Sequence, residues 1–247
     1  MLLTIMGKNC EIDDSLLIAI VRAIDKAVSE DVPNQRKALA LETNNYIPFI
    51  RGDFINQNLR DFTNTKGAHL HGFSRFGWKG RLLLSSESKL TISITTQNNL
   101  NMIPRKKRKR PHFMQSILHC LNGDLHGQFE QTRMYDTDYF EPEEYVTDFA
   151  DIIDGVLSPE DGYRHCVIAY NAFGDELRDV KLVVLDPWFN VVTEVSLAEY
   201  MTPDFARLTD PVPAEETARN QHNVATQRLV SLKPRIKPSL QDQEKKA

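Results

Sequence analysis

Two short strings carry the residue types of metal-assisted hydrolysis. A carboxylate and a lysine on one strand, with a second carboxylate on its neighbour, can hold a divalent cation and polarise a water. Glu87-Ser88-Lys89 has that spacing, as does Asp179-Val180-Lys181, with Asp175 and Glu176 just upstream. The first departs from the requirement, because it falls in an expected turn and the preceding strand over 80–86 contributes no Asp. Histidines offer less. His112 and His119 share a face if both lie on one helix, but His126 falls past Gly123, and the chain has neither a Cys-x-x-Cys nor a His-x-x-x-His pair. His69 and His71 could put two ligands on one strand face, with nothing nearby to complete a site. His165 and Cys166 are neighbours on an expected strand and point to opposite faces, which makes Cys166 a core residue. Neither a Gly-x-Ser-x-Gly elbow nor a Walker-type phosphate loop is present. These residues assign no catalytic group, no metal site and no cofactor.

A stronger signal is a sign of charge. Arg105-Lys106-Lys107-Arg108-Lys109-Arg110 sets six consecutive cations between Pro104 and Pro111 in a chain of net charge −4. Like charges this close repel, so they are solvated or held against an anion. Pro111 suits the first position of a helix over 111–122, since its missing N–H would have no intrahelical acceptor there. The helix dipole then adds to the positive potential of the run. Nucleic-acid phosphates would answer that potential, and so would an acidic protein surface. The chain also has its own competitor, eight Asp and Glu residues between Asp136 and Asp154. The run matches a monopartite nuclear-import signal as well. Exposed rings beside it would strengthen the nucleic-acid reading, because bases stack on them. Trp78, Phe73, Phe76 and Tyr46 are candidates, although packing in a core is the commoner use of such rings. Gly77-Trp78-Lys79-Gly80 is expected to be a turn with Trp78 at its apex. The anticipated anion-binding residues are therefore Arg105, Lys106, Lys107, Arg108, Lys109 and Arg110, with Lys79 and Trp78.

The elements that must position these residues are read from periodicity. Over 13–30, Leu16, Ile20, Ile24 and Ala27, beside Leu17, Val21 and Val28, form one helical stripe opposite Arg22, Asp25, Lys26 and Ser29. Asp13 or Asp14 can cap it, and Asp31-Val32-Pro33-Asn34 should end it. Further helices are expected near 35–42 and 51–62, with Pro48 between them. Leu82-Leu83-Leu84 and the alternating Leu90, Ile92 and Ile94 flank a turn and predict a hairpin, with a third strand near 69–76. After the 111–122 helix, a short helix around 142–153 would bury Tyr145, Phe149, Ile152 and Ile153. His165–Tyr170, Val180–Leu185 and Phe189–Val195 are three strands too close in sequence to be anything but antiparallel.

Composition limits the remainder. With 247 residues and 41% apolar side chains the chain can bury a substantial core. No apolar run approaches the roughly 20 residues that cross a bilayer. The N-terminal Met1–Met6 lacks the basic flank of a signal peptide. Three widely spaced cysteines, Cys10, Cys120 and Cys166, argue against a disulfide framework and for a reducing compartment. Beyond residue 206 aromatics vanish and prolines accumulate, so 206–247 reads as a largely disordered tail, with one short helix around 215–230, behind a single domain over 1–205 that admits a sub-boundary near 124–140. Segment 207–246 holds eight basic and five acidic residues, leaving −7 on the first 206 and −13 once the run is set aside. An acidic body with one cationic strip suits a local contact better than a broad coat of nucleic acid.

Phe76-Gly-Trp-Lys-Gly80, Ile94-Thr-Thr96, Ile103-Pro104 and Pro111-His-Phe-Met-Gln-Ser-Ile117, with the later strand pair at Val180–Leu185 and Phe189–Val192, resemble an uncharacterised family of bacterial proteins. The likeness covers about residues 72–192. It implies a bacterial cytoplasmic setting, which weakens the nuclear-import reading, and it supplies no catalytic residue. The element order also broadly resembles the core of restriction-type nucleases. The expected fold is α+β: N-terminal helices, a β-hairpin or three-stranded sheet, a central helix and an antiparallel C-terminal meander. The expected function is a non-catalytic module that docks an anionic partner, foremost nucleic acid, through 105–110. An acidic protein surface is the alternative partner, and a metal-dependent nuclease the alternative activity.

Overall fold

The N-terminal apolar stripe forms α1 (Asp14–Lys26), with Leu16, Leu17, Ile20, Val21 and Ile24 buried. Asp13 caps it, its carboxylate accepting from the Ser15 N–H at 2.9 Å. The chain does not stop at Asp31-Val32-Pro33-Asn34. It widens into a π-turn over Ala27–Asp31 and continues as α2 (Val32–Leu39). In an unbroken α-helix the Pro33 ring would crowd the carbonyl four residues back. The wider turn, closed by the Val32 N–H on the Ala27 carbonyl, sets Pro33 in the first turn of α2, where no N–H is needed. Pro48 follows the same rule. It lies in the first turn of α3 (Ile47–Thr63), not between two helices. Buried Asn58 on α3 donates to the Ala23 carbonyl at 3.3 Å and the Asp31 carboxylate at 2.8 Å, tying α3 to α1 and the π-turn.

The computed structural model describes residues 2–5, 8–63, 67–125 and 140–201. The expected tail and its helix around 215–230 lie outside the described residues. A short antiparallel pair, β1 (Leu2–Ile5) and β2 (Lys8–Glu11), which the sequence did not announce, precedes α1.

The expected three-stranded sheet and the C-terminal meander are halves of one six-stranded sheet. In the first half, β3 (Ala68–Arg75), β4 (Trp78–Ser85) and β5 (Leu90–Thr96) run antiparallel. So do β6 (Arg164–Phe173), β7 (Glu176–Leu185) and β8 (Val191–Ser196) in the second. A parallel pairing joins the halves, with Leu90 of β5 opposite Arg164 of β6 and Thr96 opposite Tyr170. Parallel neighbours require a long crossover. Residues 97–163 supply it, carrying α4 (Gln97–Met102), α5 (Phe113–Leu121) and α6 (Pro142–Ile153).

Helices cover both faces of the sheet. On one, α1 and α3 pack against Leu83, Leu90, Ile92, Cys166, Ile168 and Leu182. On the other, the crossover helices pack against Leu82, Leu84, Val167, Val183 and Leu185. Tyr145, Phe149, Ile152 and Ile153 are the buried face of α6, as the periodicity predicts. The fold is α+β. Alternation over 90–95 predicted a half-buried strand, but Thr91, Ser93 and Thr95 are buried too. They lie beneath the crossover, where Thr91 Oγ1 shares a 2.8 Å hydrogen bond with His165 Nδ1 and Thr95 Oγ1 accepts from Asn99 Nδ2 at 2.8 Å. Among the described residues no helix is long and apolar enough to cross a membrane.

Candidate functional site

The cationic run lies in the loop between α4 and α5. Ile103 is buried and anchors the start of the loop. Arg108 then folds back on it, its guanidinium donating to the Ile103 carbonyl at 2.7 Å and the Lys106 carbonyl at 3.3 Å. Partial burial lowers the pKa of that guanidinium. Arg108 thus shapes the loop, while Arg105, Lys106, Lys107, Lys109 and Arg110 are exposed. Among the described residues none of the six forms an ion pair. Asp148 on α6, within the acidic stretch that could have covered the run, is held by Arg75 of β3 instead. Positions 136 and 138 of that stretch lie outside the described residues.

The helix after the run starts two residues later than expected. His112, not Pro111, is its boundary residue: the imidazole Nδ1 accepts from the Met114 N–H at 3.3 Å, and Gln115 Oε1 accepts from the His112 N–H at 2.7 Å. This reciprocal cap satisfies donors that a proline at the first helical position would have left to solvent. Pro111 sits before the cap, and its carbonyl accepts from Arg75 Nη2 at 3.0 Å. Burial, then the nearby charges of Arg108, Arg75 and Lys106, push the His112 pKa down to about 3.

The β3–β4 hairpin brings rings to the same place. Its turn is Phe76-Gly77, not Gly77–Gly80, so Phe76 occupies the apex and Trp78 opens β4. Both turn residues have positive φ, +50° and +82°, the signature of a type I′ turn whose twist matches the flanking strands. Phe76 is 75% exposed, and the Arg110 guanidinium lies 4.4 Å from its ring centroid. Trp78 is 53% exposed, 5.6 Å from Phe113 and 5.7 Å from Phe73. Phe73 is buried, and Gly80 makes room for it: a Cβ there would stand 2.2 Å from the ring. Asp148 fastens the assembly, pairing with Arg75 and accepting from Ser116 Oγ of α5 at 2.5 Å. Lys79 is exposed opposite Ser74, on the other face of the hairpin from Trp78, which pairs with Arg75. Of the anticipated residues, Arg110 ends the run over the Phe76 ring at the hairpin tip that also carries Trp78, Arg105 begins it beside Phe189 and Val191, and Lys79 lies on the opposite face of the hairpin. The sequence offered Phe76 as a stacking candidate but gave Trp78 the apex. The overlooked signal was the two-residue spacing of a primed turn.

The other candidates lie elsewhere in the fold. Glu87-Ser88-Lys89 lies in the β4–β5 turn, with Lys89 Nζ 4.9 Å from the Tyr163 ring centroid. Asp179-Val180-Lys181 lies within β7, where Lys181 Nζ bonds Glu194 at 2.8 Å and Asp175 pairs with Arg36. His119 stacks on Tyr145, and His71 Nε2 meets the Ile152 carbonyl at 2.7 Å. Cys166 is in the core, and burial beside Asp148 pushes the Cys120 thiol up to about 11. Among the described residues no three His, Cys, Asp or Glu side chains group to hold a metal ion. A cavity of about 190 Å³ opens beside Arg105, bordered by Gln97, Asn101, Phe189 and Val191.

The model of one family, described as a family of unknown function, matches residues 9–247. This agrees with the likeness drawn from residues 72–192 and extends it over nearly the whole chain. No curated protein and no solved structure matches.

Proposed function

We propose a function for a chain that belongs to DUF5986, a family of unknown function: it is a non-catalytic module that docks nucleic acid through the loop 105–110 and the adjoining hairpin tip. The observation that carries this reading is the juxtaposition of Arg110 with Phe76. Cations for phosphates and exposed rings for bases are the two parts of a nucleic-acid surface, and here Arg110 stands 4.4 Å from an exposed ring. An acidic protein would use the cations and leave the rings without a role. The reading places the protein in the reducing cytoplasm of a bacterium, where its cysteines stay as thiols.

The test is equilibrium binding of labelled oligonucleotides to the full chain and to a variant with Arg105, Lys106, Lys107, Lys109 and Arg110 changed to Gln. Arg108 is kept because its two carbonyl contacts shape the loop. The wild type should bind at low salt and the variant should not. If no labelled oligonucleotide, single-stranded or duplex, binds the wild type, the reading is wrong.

A further inference from the structure

We infer that this surface selects a single strand, stacking one unpaired base on the ring of Phe76; the inference rests on the docking reading above. The apex of a two-residue primed turn favours Asn, Asp or Gly, because a bulky side chain fits poorly at positive φ. Phe76 sits there at φ +50° with three-quarters of its surface exposed, and it belongs to none of the three core clusters. The fold would be served better by Asn at both the backbone and the solvent. Strained residues of this kind concentrate where function holds them.

The ring's neighbours say what it meets. The Arg110 and Arg75 guanidiniums lie over the ring, 4.4 Å and 5.7 Å from its centroid, so a base that stacks there takes the place of a guanidinium, which is then free to meet the phosphate. A single strand offers a free base face and a phosphate one bond path apart. A duplex keeps its base faces within the stack, and a ring at the apex gains nothing from it unless it wedges the steps apart. Six extended residues reach at most about 21 Å. At about 3.4 Å per stacked nucleotide, that sets a ceiling of about six nucleotides, and the loop folded back by Arg108 covers fewer.

The experiment compares fluorescein-labelled oligothymidylate of about 12 nucleotides, within the usual site sizes, with a duplex of the same length. Fluorescence anisotropy is read for the full-length wild type and for Phe76→Asn. Asparagine suits the turn, so the variant folds at least as well, which its thermal transition verifies. The wild type should prefer the single strand. Phe76→Asn should weaken single-strand binding at least about fivefold, the lower end for loss of one stacked base, and leave duplex affinity and salt dependence unchanged. Unchanged single-strand affinity in Phe76→Asn, a wild-type preference for duplex, or a loss confined to the duplex overturns the single-strand inference. In each of those cases the docking reading survives if the five-Gln variant still loses binding. Absence of binding by the wild type to either form overturns both.

Discussion

His112 and His165 set the pH dependence of stability near neutrality. Burial holds both at about 3, with Arg108, Arg75 and Lys106 adding to the effect at His112. In the unfolded chain each titrates near 6.5. Between those values the unfolded state binds protons that the native state refuses, so stability rises with pH and is lost as pH falls below about 6.5. Going from about pH 7.5 to about pH 5.5 costs about 1.4 kcal/mol per histidine. Asn caps helices well, so His112→Asn should keep the α5 cap and remove one of the two contributions. Urea unfolding at the two pH values checks this, and an equal loss in wild type and variant contradicts it. The sequence disclosed the histidines but not this property, because His165 looks like any strand residue. It is buried only because the crossover helices cover that face of β5 and β6.

At the scale of elements, the β3–β4 hairpin is the informative unit. Its strands were legible from the leucine run and the Gly-Trp-Lys-Gly string, but the turn was misplaced by a residue or two. Whether Phe76 or Trp78 takes the apex depends on register, which Phe73 decides by packing on Phe113 of α5 in the space that Gly80 leaves. Relieving the left-handed backbone strain should make Phe76→Asn more stable than wild type by about 1 kcal/mol, read as a higher urea midpoint at unchanged slope. The opposite shift would mean that the cation–π contacts of Arg110 and Arg75 with the ring outweigh the strain. Asp148 is the other lever. Its carboxylate joins Arg75 of β3 to Ser116 of α5, with side chains only 13% and 15% exposed at the ion pair. Asp148→Ala should therefore cost about 3 kcal/mol. Glu194→Ala, which breaks the exposed pair with Lys181, should cost under about 1 kcal/mol. Similar losses for the two would show that Asp148 is not the fastening between hairpin and helix.

For the whole molecule, the run of strands and helices was readable and their assembly was not. Each half of the sheet follows from local alternation. Their union rests on a pairing of β5 with β6 that 97–163 separates, and no local period encodes a parallel partner that distant. The same crossover decides what the cations can do, because it carries them from α4 to α5 past the hairpin tip. The charge distribution then sets a quantity to measure. Removing the six cations would take the chain from −4 to −10, so under the proposed docking the acidic remainder disfavours phosphate contact away from the strip. With Arg108 occupied by carbonyls, five side chains are free to displace counterions. Each phosphate neutralised on a single strand lowers the slope of log affinity against log salt by about 0.7, so the slope should be about −3.5. Replacing Lys107 and Lys109 together with Gln should bring it to about −2, with the preference for single strands intact because Phe76 is untouched. A slope much steeper than −3.5 would place further contacts outside the strip, Lys79 and Arg81 on the far face of the hairpin being the first to substitute. A slope near zero would remove phosphate contact as the basis of binding.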